Sequence, residues 1–183
     1  YTRHKARWYY PADNPTWDGS KMVLRMAIHM KRFAPLQFVL QRKVDPNFAM
    51  TKNVSPLQLA ISDLGGASAV CLLLKAKADP NRDPHNTLCR ALYSLETVDM
   101  LVRAKIDVGA ASNQSGDTAL HTLVLPAYFP KHIDAPEVLK LLLEAKADPC
   151  ARNHAGLLPV ELLRYKDVFG VHRMLRRLLD QYS

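Results

Sequence analysis

Long apolar segments are scarce in this chain, and their scarcity argues against a membrane-spanning helix. Such a helix needs roughly 18 to 20 apolar residues, whereas the longest clean run here is AVCLLL at 69–74. Hydrophobic residues still make up 48% of the 183 positions, which is enough for a sizeable core. We therefore expect one folded domain or one short repeat array, without a transmembrane segment.

Cysteine is also rare. Cys71, Cys89 and Cys150 are widely spaced and form no CxxC motif, so the pattern does not indicate a secreted disulfide framework. An intracellular, reducing compartment is expected, with a mitochondrion or plastid among the candidates. The chain begins at Tyr1 instead of a methionine, which indicates processing or trimming, and a targeting segment would then already be missing.

The common motifs of catalysis and cofactor binding are absent from the sequence. There is no GxxxxGK[ST], GxGxxG, HExxH or GxSxG, so the usual phosphate, dinucleotide, metalloprotease and hydrolase signatures are missing. His85 with Cys89, and Cys150 with His154, have a four-residue spacing that suits a metal pair, but no second pair is adjacent in sequence. We expect no catalytic residue, cofactor, metal or small-molecule substrate.

Positive charge is concentrated at the two ends of the chain. Residues 1–10 carry Arg3, Lys5 and Arg7 without an acid, and residues 164–183 carry five Lys or Arg against two Asp, so each end contributes +3. The net charge is +8, which leaves +2 for the middle (8 − 3 − 3). This distribution predicts terminal anchors for an acidic surface and not a channel for nucleic acid.

A ten-residue segment occurs twice, as LLLKAKADPN at 72–81 and LLLEAKADPC at 141–150, with eight of ten letters kept. Related turns, RKVDPN at 42–47 and AKIDVG at 104–109, complete a series of four. A second element recurs beside these turns as VLRMAI, SPLQLA, NTLCRA, TALHTL and LPVELL. The related positions at its end, Ala27, Ala60, Ala91, Leu123 and Leu163, are 33, 31, 32 and 40 residues apart. This spacing indicates a structural repeat.

These segments resemble the ankyrin repeat, a family with a period of about 33 residues, a T-P-L-H-x-A signature, a leucine-rich second helix and a G-A-D-x-N-like turn. SPLQLA with VCLLLKAKADPN, and GDTALHTL, are the most specific copies. The resemblance covers about residues 18–180. It implies an all-α fold, an α-solenoid of about four to five helix-turn-helix repeats, and a hydrogen bond from His121 to the Thr118 side of its turn.

The predicted organisation is an extended basic and aromatic arm at 1–17 followed by a repeat domain at 18–183. The repeats are expected at 18–50, 51–82, 83–112, 113–151 with an insertion at 125–136, and 152–183 as a C-terminal cap. Ser55-Pro56 and Thr118 are typical helix starts, and Asp-Pro is expected to end the second helices. The core between repeats should contain Leu73, Leu74, Leu142 and Leu143.

The turns depart from the family at one position. Where the family usually has a glycine in the left-handed conformation, this chain has Lys43, Lys77, Lys105 and Lys146. A non-glycine residue there costs on the order of 1 kcal/mol if the conformation is kept. Two interpretations stand: the lysines complement the helix dipole, or they form a row of cations for an acidic partner.

Two aromatic segments and the C-terminal helix also have two interpretations each. The arm, with Trp8, Tyr9 and Tyr10, either covers the open edge of the first repeat or is buried in another subunit. Tyr128 and Phe129, in the insertion, either pack back on the stack or contact a partner. The basic C-terminal helix VHRMLRRLLDQYS caps the stack or binds an anionic surface.

We therefore expect a non-catalytic protein–protein interaction or scaffold module, an accessory subunit of a larger assembly. The alternative is a basic component of a ribonucleoprotein, such as an organellar ribosome, that contacts RNA phosphates through its termini. An enzyme would instead need a pocket with perturbed ionisable groups. The candidate partner-binding residues are Trp8, Tyr9, Tyr10, Phe48, Met50, Arg82, Arg152, Tyr128, Phe129, Lys43, Lys77, Lys105 and Lys146.

Overall fold

A computed structural model of the chain describes residues 19–49, 54–62, 66–125, 135–164, 176–177 and 179–181. This part is helical, with an isolated antiparallel bridge between Ala111 and Thr118. The α-helices are α1 Gly19–His29, α2 Phe33–Gln41, α3 Pro56–Ser62, α4 Ala67–Lys75, α5 Pro84–Ala91, α6 Leu95–Arg103, α7 Ala119–Leu123 and α8 Ala135–Glu144. Two 3-10 turns cover Pro80–Arg82 and Pro159–Arg164.

The helices pack in two parallel rows. Within each unit the first helix contacts the second, as α1 with α2, α3 with α4, α5 with α6, and α7 with α8. Between units α1, α3, α5, α7 and the turn Pro159–Arg164 pack in succession, and α2, α4, α6 and α8 do the same. A stack in which each unit contacts its neighbours is an α-solenoid, so the predicted all-α solenoid is confirmed.

The predicted helix starts are present in the structure. Ser55 accepts a hydrogen bond from the backbone N–H of Gln58, and Pro56 is the first residue of α3. Thr118 precedes α7 and takes part in a capping box with His121. A hydroxyl that satisfies free amides and a proline at the first helical position both favour helix initiation.

The hydrophobic core runs along the stack between the rows. Leu73 of α4, Leu101 of α6 and Leu142 of α8 occupy related positions in successive second helices, and each is fully buried. Leu143 is buried as predicted. Leu74 is only partly buried and packs at the edge of this core. The buried leucines are thus shared between units, since the inner second helices α4 and α6 each have a neighbour on both sides.

The predicted reason for the helix ends needs correction. The second helices do not run to the Asp-Pro dipeptide, because α4 ends at Lys75, before Asp79. Its end is closed by two hydrogen bonds, from Lys77 N–H to Leu74 O at 3.0 Å and from Ala78 N–H to Leu73 O at 2.9 Å. This pair is the Schellman pattern around a left-handed residue. The same pattern ends α6, although the turn that follows it contains no proline.

Asparagine side chains join the successive turns. The side chain of Asn47 donates to Lys77 O at 3.2 Å and accepts from Asp79 N–H at 2.7 Å. Asn81 makes the same two bonds to the next turn, to Lys105 O at 3.0 Å and from Asp107 N–H at 2.7 Å. We call each such pair of bonds a turn bridge. The next position in this series is Gly109, which has no side chain to form one.

Replacing Gly109 by Asn is expected to raise the free energy of unfolding by about 1 kcal/mol, because it supplies the missing turn bridge and restricts the unfolded chain. Gly109 is not among the positive-φ residues, and an added Cβ would only contact Asp107 Oδ1 at 3.4 Å. Chemical denaturation measures the change. Gly109→Ala is the control, since it keeps the entropy effect without the amide. Equal stabilities of the two variants would argue against the bridge.

Candidate functional site

The lysines at the helix ends keep the left-handed conformation. Lys43, Lys77, Lys105 and Lys146 have φ values of 59°, 66°, 59° and 69°. A fifth residue, Lys31, has φ 54° after α1 and was missed because its segment HMKRF does not resemble the other turns. Among the described residues every non-glycine residue with positive φ is a lysine. All five are exposed.

The helix dipole alone does not explain lysine at these positions. A cation at a helix C-terminus contributes about 0.3–1 kcal/mol, whereas the left-handed conformation costs a residue with a Cβ about 1–2 kcal/mol. Glycine avoids the cost and forms the same helix end. Since the two terms offset each other at best, the helix dipole gives lysine no net advantage over glycine at these positions.

The acids of the turns are already engaged in local hydrogen bonds. Asp79 lies two residues after Lys77, and its Oδ1 accepts from the Asn81 N–H at 2.8 Å. The equivalent aspartates, Asp45, Asp107 and Asp148, each accept from the backbone N–H two residues further on. Their carboxylates are therefore oriented by the turn backbone, while the lysine side chains extend into solvent.

Changing Lys43, Lys77, Lys105 and Lys146 together to Gly is expected to raise the free energy of unfolding by about 2 kcal/mol, the strain relieved less the dipole interaction lost. Thermal and chemical denaturation measure the change. Changing the same residues to Ala is the matched control, because it removes the charge but keeps the strained backbone. A stability gain in the alanine variant that equals the gain in the glycine variant would contradict the assignment of strain.

A groove of about 540 Å³ follows the turns of successive repeats. It begins beside Ala49 of the first unit and reaches Asn113 beyond the third. The polar residues that line it include Ser55, Gln58, Arg82, Asp83, His85 and Asn86. Because the lining comes from several repeats, the groove can contact an extended segment along its length. Of the predicted partner residues, Arg82 lies here.

Part of this lining is held in a hydrogen-bond network. The Gln58 side-chain amide donates to Asp83 Oδ2 at 3.2 Å and to Thr87 Oγ1 at 3.4 Å. Asn86 Nδ2 also donates to Asp83 Oδ2, at 2.9 Å. The Asp83 carboxylate is therefore occupied by neighbours at the start of α5. Arg82 and Asn113, which also line the groove, are exposed.

Cys89 and His85 are neighbours on α5, with Cys89 Sγ 3.7 Å from His85 Nδ1. Burial raises the pKa of the Cys89 thiol, the hydrogen bond to Thr122 lowers it, and the charges of Asp117 and Asp83 raise it further. A reactive cysteine needs a lowered thiol pKa. The Cys89–His85 pair therefore lacks the electrostatics of an activated nucleophile.

His121 has the structural role that the family resemblance implies. It is fully buried. Its Nδ1 accepts from the Thr118 N–H at 3.2 Å, and its Nε2 donates to the Leu157 carbonyl oxygen at 3.0 Å in the following unit. Both ring nitrogens are thus occupied in joining two repeats. The prediction of a bond to the Thr118 side is confirmed.

Phe48 and Arg152, two predicted partner residues that the structure describes, do not line the groove. Phe48 is half-buried against the core, with Lys21 Nζ 5.6 Å from its ring centroid. Arg152 is exposed, but its guanidinium donates to Gly156 O at 2.6 Å and lies 3.9 Å from Glu161. The predicted residues Trp8, Tyr9, Tyr10, Met50, Tyr128 and Phe129 lie outside the described residues.

Metal ligands do not cluster in the described part of the chain, where no three His, Cys, Asp or Glu side chains could share an ion. The second pair noted in the sequence is divided: Cys150 is exposed, and His154 Nδ1 donates to Gln114 O at 3.1 Å. A search of the same residues finds no helix long and apolar enough to cross a membrane.

Comparison with known proteins agrees with this geometry. The family model for the ankyrin repeat matches residues 115–154, which include α7, α8 and the buried His121. No curated protein matches the chain. Ankyrin repeats generally mediate protein–protein interactions and are typically non-catalytic. The ankyrin repeat is thus matched over this segment, and the preceding units have the same pairing of helices and the same helix end.

Proposed function

We propose that the chain is a non-catalytic protein–protein interaction module and an accessory subunit of a larger assembly. The observation that carries this proposal is the groove from Ala49 to Asn113, which takes its lining from consecutive repeats. Such a surface suits an extended partner segment, since successive repeats offer successive contacts. The arm at 1–17 is proposed as a second contact because its aromatic residues suit a partner pocket.

The distribution of polar groups supports binding over chemistry. His121 and Gln58 are buried and bonded to their own and neighbouring repeats, and the Cys89 thiol has a raised pKa. All three cysteines are free thiols, which is consistent with the proposed reducing compartment. The groups that remain available to a partner are the polar residues at the rim of the groove and the lysines at the helix ends.

A photo-crosslinking amino acid at Arg82, in the groove, tests the proposal. The variant chain is added to native lysate, irradiated and analysed by mass spectrometry. We expect one protein to be captured reproducibly. Glu96, an exposed residue of α6 outside the groove lining, provides the control position. Capture of the same proteins from both positions, or of none from Arg82, would contradict a partner in the groove.

Two further variants test the contributions of the arm and of the lysines separately. Deletion of residues 1–16 is expected to weaken capture while helical content stays unchanged. The four-lysine glycine variant is expected to gain stability and to lose affinity if the lysines contact an acidic partner. Unchanged affinity would restrict them to a structural role. Nuclease-sensitive binding that falls log-linearly with salt would instead favour the ribonucleoprotein alternative.

A further inference from the structure

The first helix pair exposes more apolar surface than the units after it. Within the described residues, the large hydrophobic side chains that are exposed are Val23 at 44%, Met30 at 56%, Phe33 at 39%, Phe38 at 55% and Tyr93 at 39%. All of these except Tyr93 belong to α1, α2 or the turn between them. A cluster of exposed apolar residues on one unit marks a contact surface.

These residues lie on the open side of the stack. Helix α1 packs against α2 and α3, while α2 packs against α1 and α4, so each helix leaves its remaining face uncovered by a repeat. Met22, Met26 and Met30 are four positions apart and form a stripe along one side of α1, in which Met30 is exposed and Met22 and Met26 are half-buried. The Met30 N–H donates to Met26 O at 2.8 Å, which continues the helical register through the stripe.

The chain segment that forms this surface is basic. From Gly19 to Lys43 the chain has no Asp or Glu, and its cations are Lys21, Arg25, Lys31, Arg32, Arg42 and Lys43. The nearest acids in sequence are Asp18 and Asp45. The guanidinium of Arg42 lies over the Phe38 ring, 4.5 Å from its centroid. Basic and apolar groups are therefore interleaved on the same surface.

We infer that this first-repeat face, defined by Val23, Met30, Phe33 and Phe38 with the surrounding cations, binds an acidic amphipathic helix of a partner protein. The apolar side of the partner helix would cover the phenylalanines and the methionine stripe, because methionine adapts to the irregular surface of a helix. The carboxylates of the partner helix would pair with the exposed cations Arg32 and Lys43. The 11 residues of α1 span about 16 Å, which matches about three turns of a partner helix.

Charge complementarity favours an acidic helix over the other possible occupants of this face. A second copy would place like charges against one another, since its first-repeat face is identical. The arm at 1–17 carries three cations against one acid, Asp13, so its charge does not complement the face either. An anionic membrane surface has the same sign of charge as an acidic helix. Membrane binding, however, scales with the buried apolar area, and the exposed apolar side chains of this face can cover only a short helix.

The inference deepens the proposed interaction function and is tested separately from it, since Arg82 and the groove lie outside this face. The probe is a fluorescent amphipathic peptide of about 18 residues, long enough to form a helix in water, with leucines on one side and glutamates on the other. Its control carries lysine at each glutamate. Binding to the full chain is measured by fluorescence anisotropy, and co-sedimentation with phosphatidylcholine–phosphatidylserine vesicles is measured in parallel.

The acidic peptide should bind, and the lysine peptide should not. Met30→Ser with Phe38→Ser should weaken binding about tenfold or more, while Tyr93→Ser, a change at the exposed residue of another unit, should leave it unchanged. Circular dichroism verifies that both variants remain folded. Absence of peptide binding, equal binding by the double variant, or sedimentation with vesicles without peptide binding would overturn the inference. So would an increase in affinity on deletion of residues 1–16, because the arm would then be the occupant.

Discussion

Replacing Leu142 by Ala is expected to lower the free energy of unfolding by about 2–5 kcal/mol. Leu142 is fully buried in α8, and α8 packs against both α6 and α7. Truncation therefore leaves a cavity between two repeats, where neither side can relax independently. Urea denaturation monitored by circular dichroism gives the difference.

The adjacent residue provides the control for this prediction. Leu141 has the same side chain but is only partly buried, so Leu141→Ala should cost clearly less than Leu142→Ala. A loss of less than about half a kcal/mol at Leu142, or equal losses at the two positions, would mean that the helix register is wrong.

Replacing Gly116 by Ala is expected to destabilise the fold by about 3 kcal/mol, because two costs combine. The residue has φ +71°, a conformation that disfavours a side chain. An added Cβ would also lie 2.5 Å from His154 Cδ2 and 2.7 Å from the His154 backbone nitrogen. The backbone cannot move aside freely, since the His154 N–H donates to Ser115 O at 2.9 Å.

Gly156 separates the two costs. It has φ +74°, but an added Cβ would meet nothing within 4 Å. Gly156→Ala should therefore cost only the conformational part, about 1–2 kcal/mol. Thermal denaturation gives the stability of each variant, and the difference between the two measures the cost of the contact with His154. A Gly116→Ala protein as stable as the Gly156→Ala protein would show that the loop around His154 yields without cost.

Much of the fold could be predicted from the sequence because repeats carry redundant signals. Ser55-Pro56 and Thr118 predicted helix starts from local chemistry alone, and the two related decapeptides fixed the spacing of the second helices. His121 was assigned through the family signature, and the structure shows the bond to Thr118. The additional bond to Leu157 could not be predicted, since it depends on how the next unit docks.

The helix ends show where sequence reasoning stops. The pattern AKADP predicts a turn, but a proline and a left-handed residue both end helices, and only the backbone distinguishes them. Helix α6 ends in the same way, although the turn that follows it, AKIDVG, has no proline. The missing proline in that copy could have indicated that the left-handed residue ends the helix. Lys31 gave no signal, because its neighbours do not repeat those of Lys77.

The first-repeat face was missed for a related reason. The repeat pattern shows which residues belong to a helix pair, but it does not show which face of the first pair lacks a neighbour. Nothing in the repeat pattern therefore marked Phe33 and Phe38 as exposed. The absence of acids between Gly19 and Lys43 was visible in the sequence, yet its meaning depends on the exposure of the phenylalanines beside it.

The glycine at position 109 bears on how the array moves as a whole. In a linear repeat protein, cooperativity passes from unit to unit through the junctions. The junctions spanned by Asn47 and Asn81 each have a turn bridge, and the junction that follows Gly109 lacks that pair of bonds. Bending and partial unfolding should concentrate at this junction, so that the units before it and the units after it move as two separate rigid groups. A ligand that spans this hinge would fix the curvature of the solenoid.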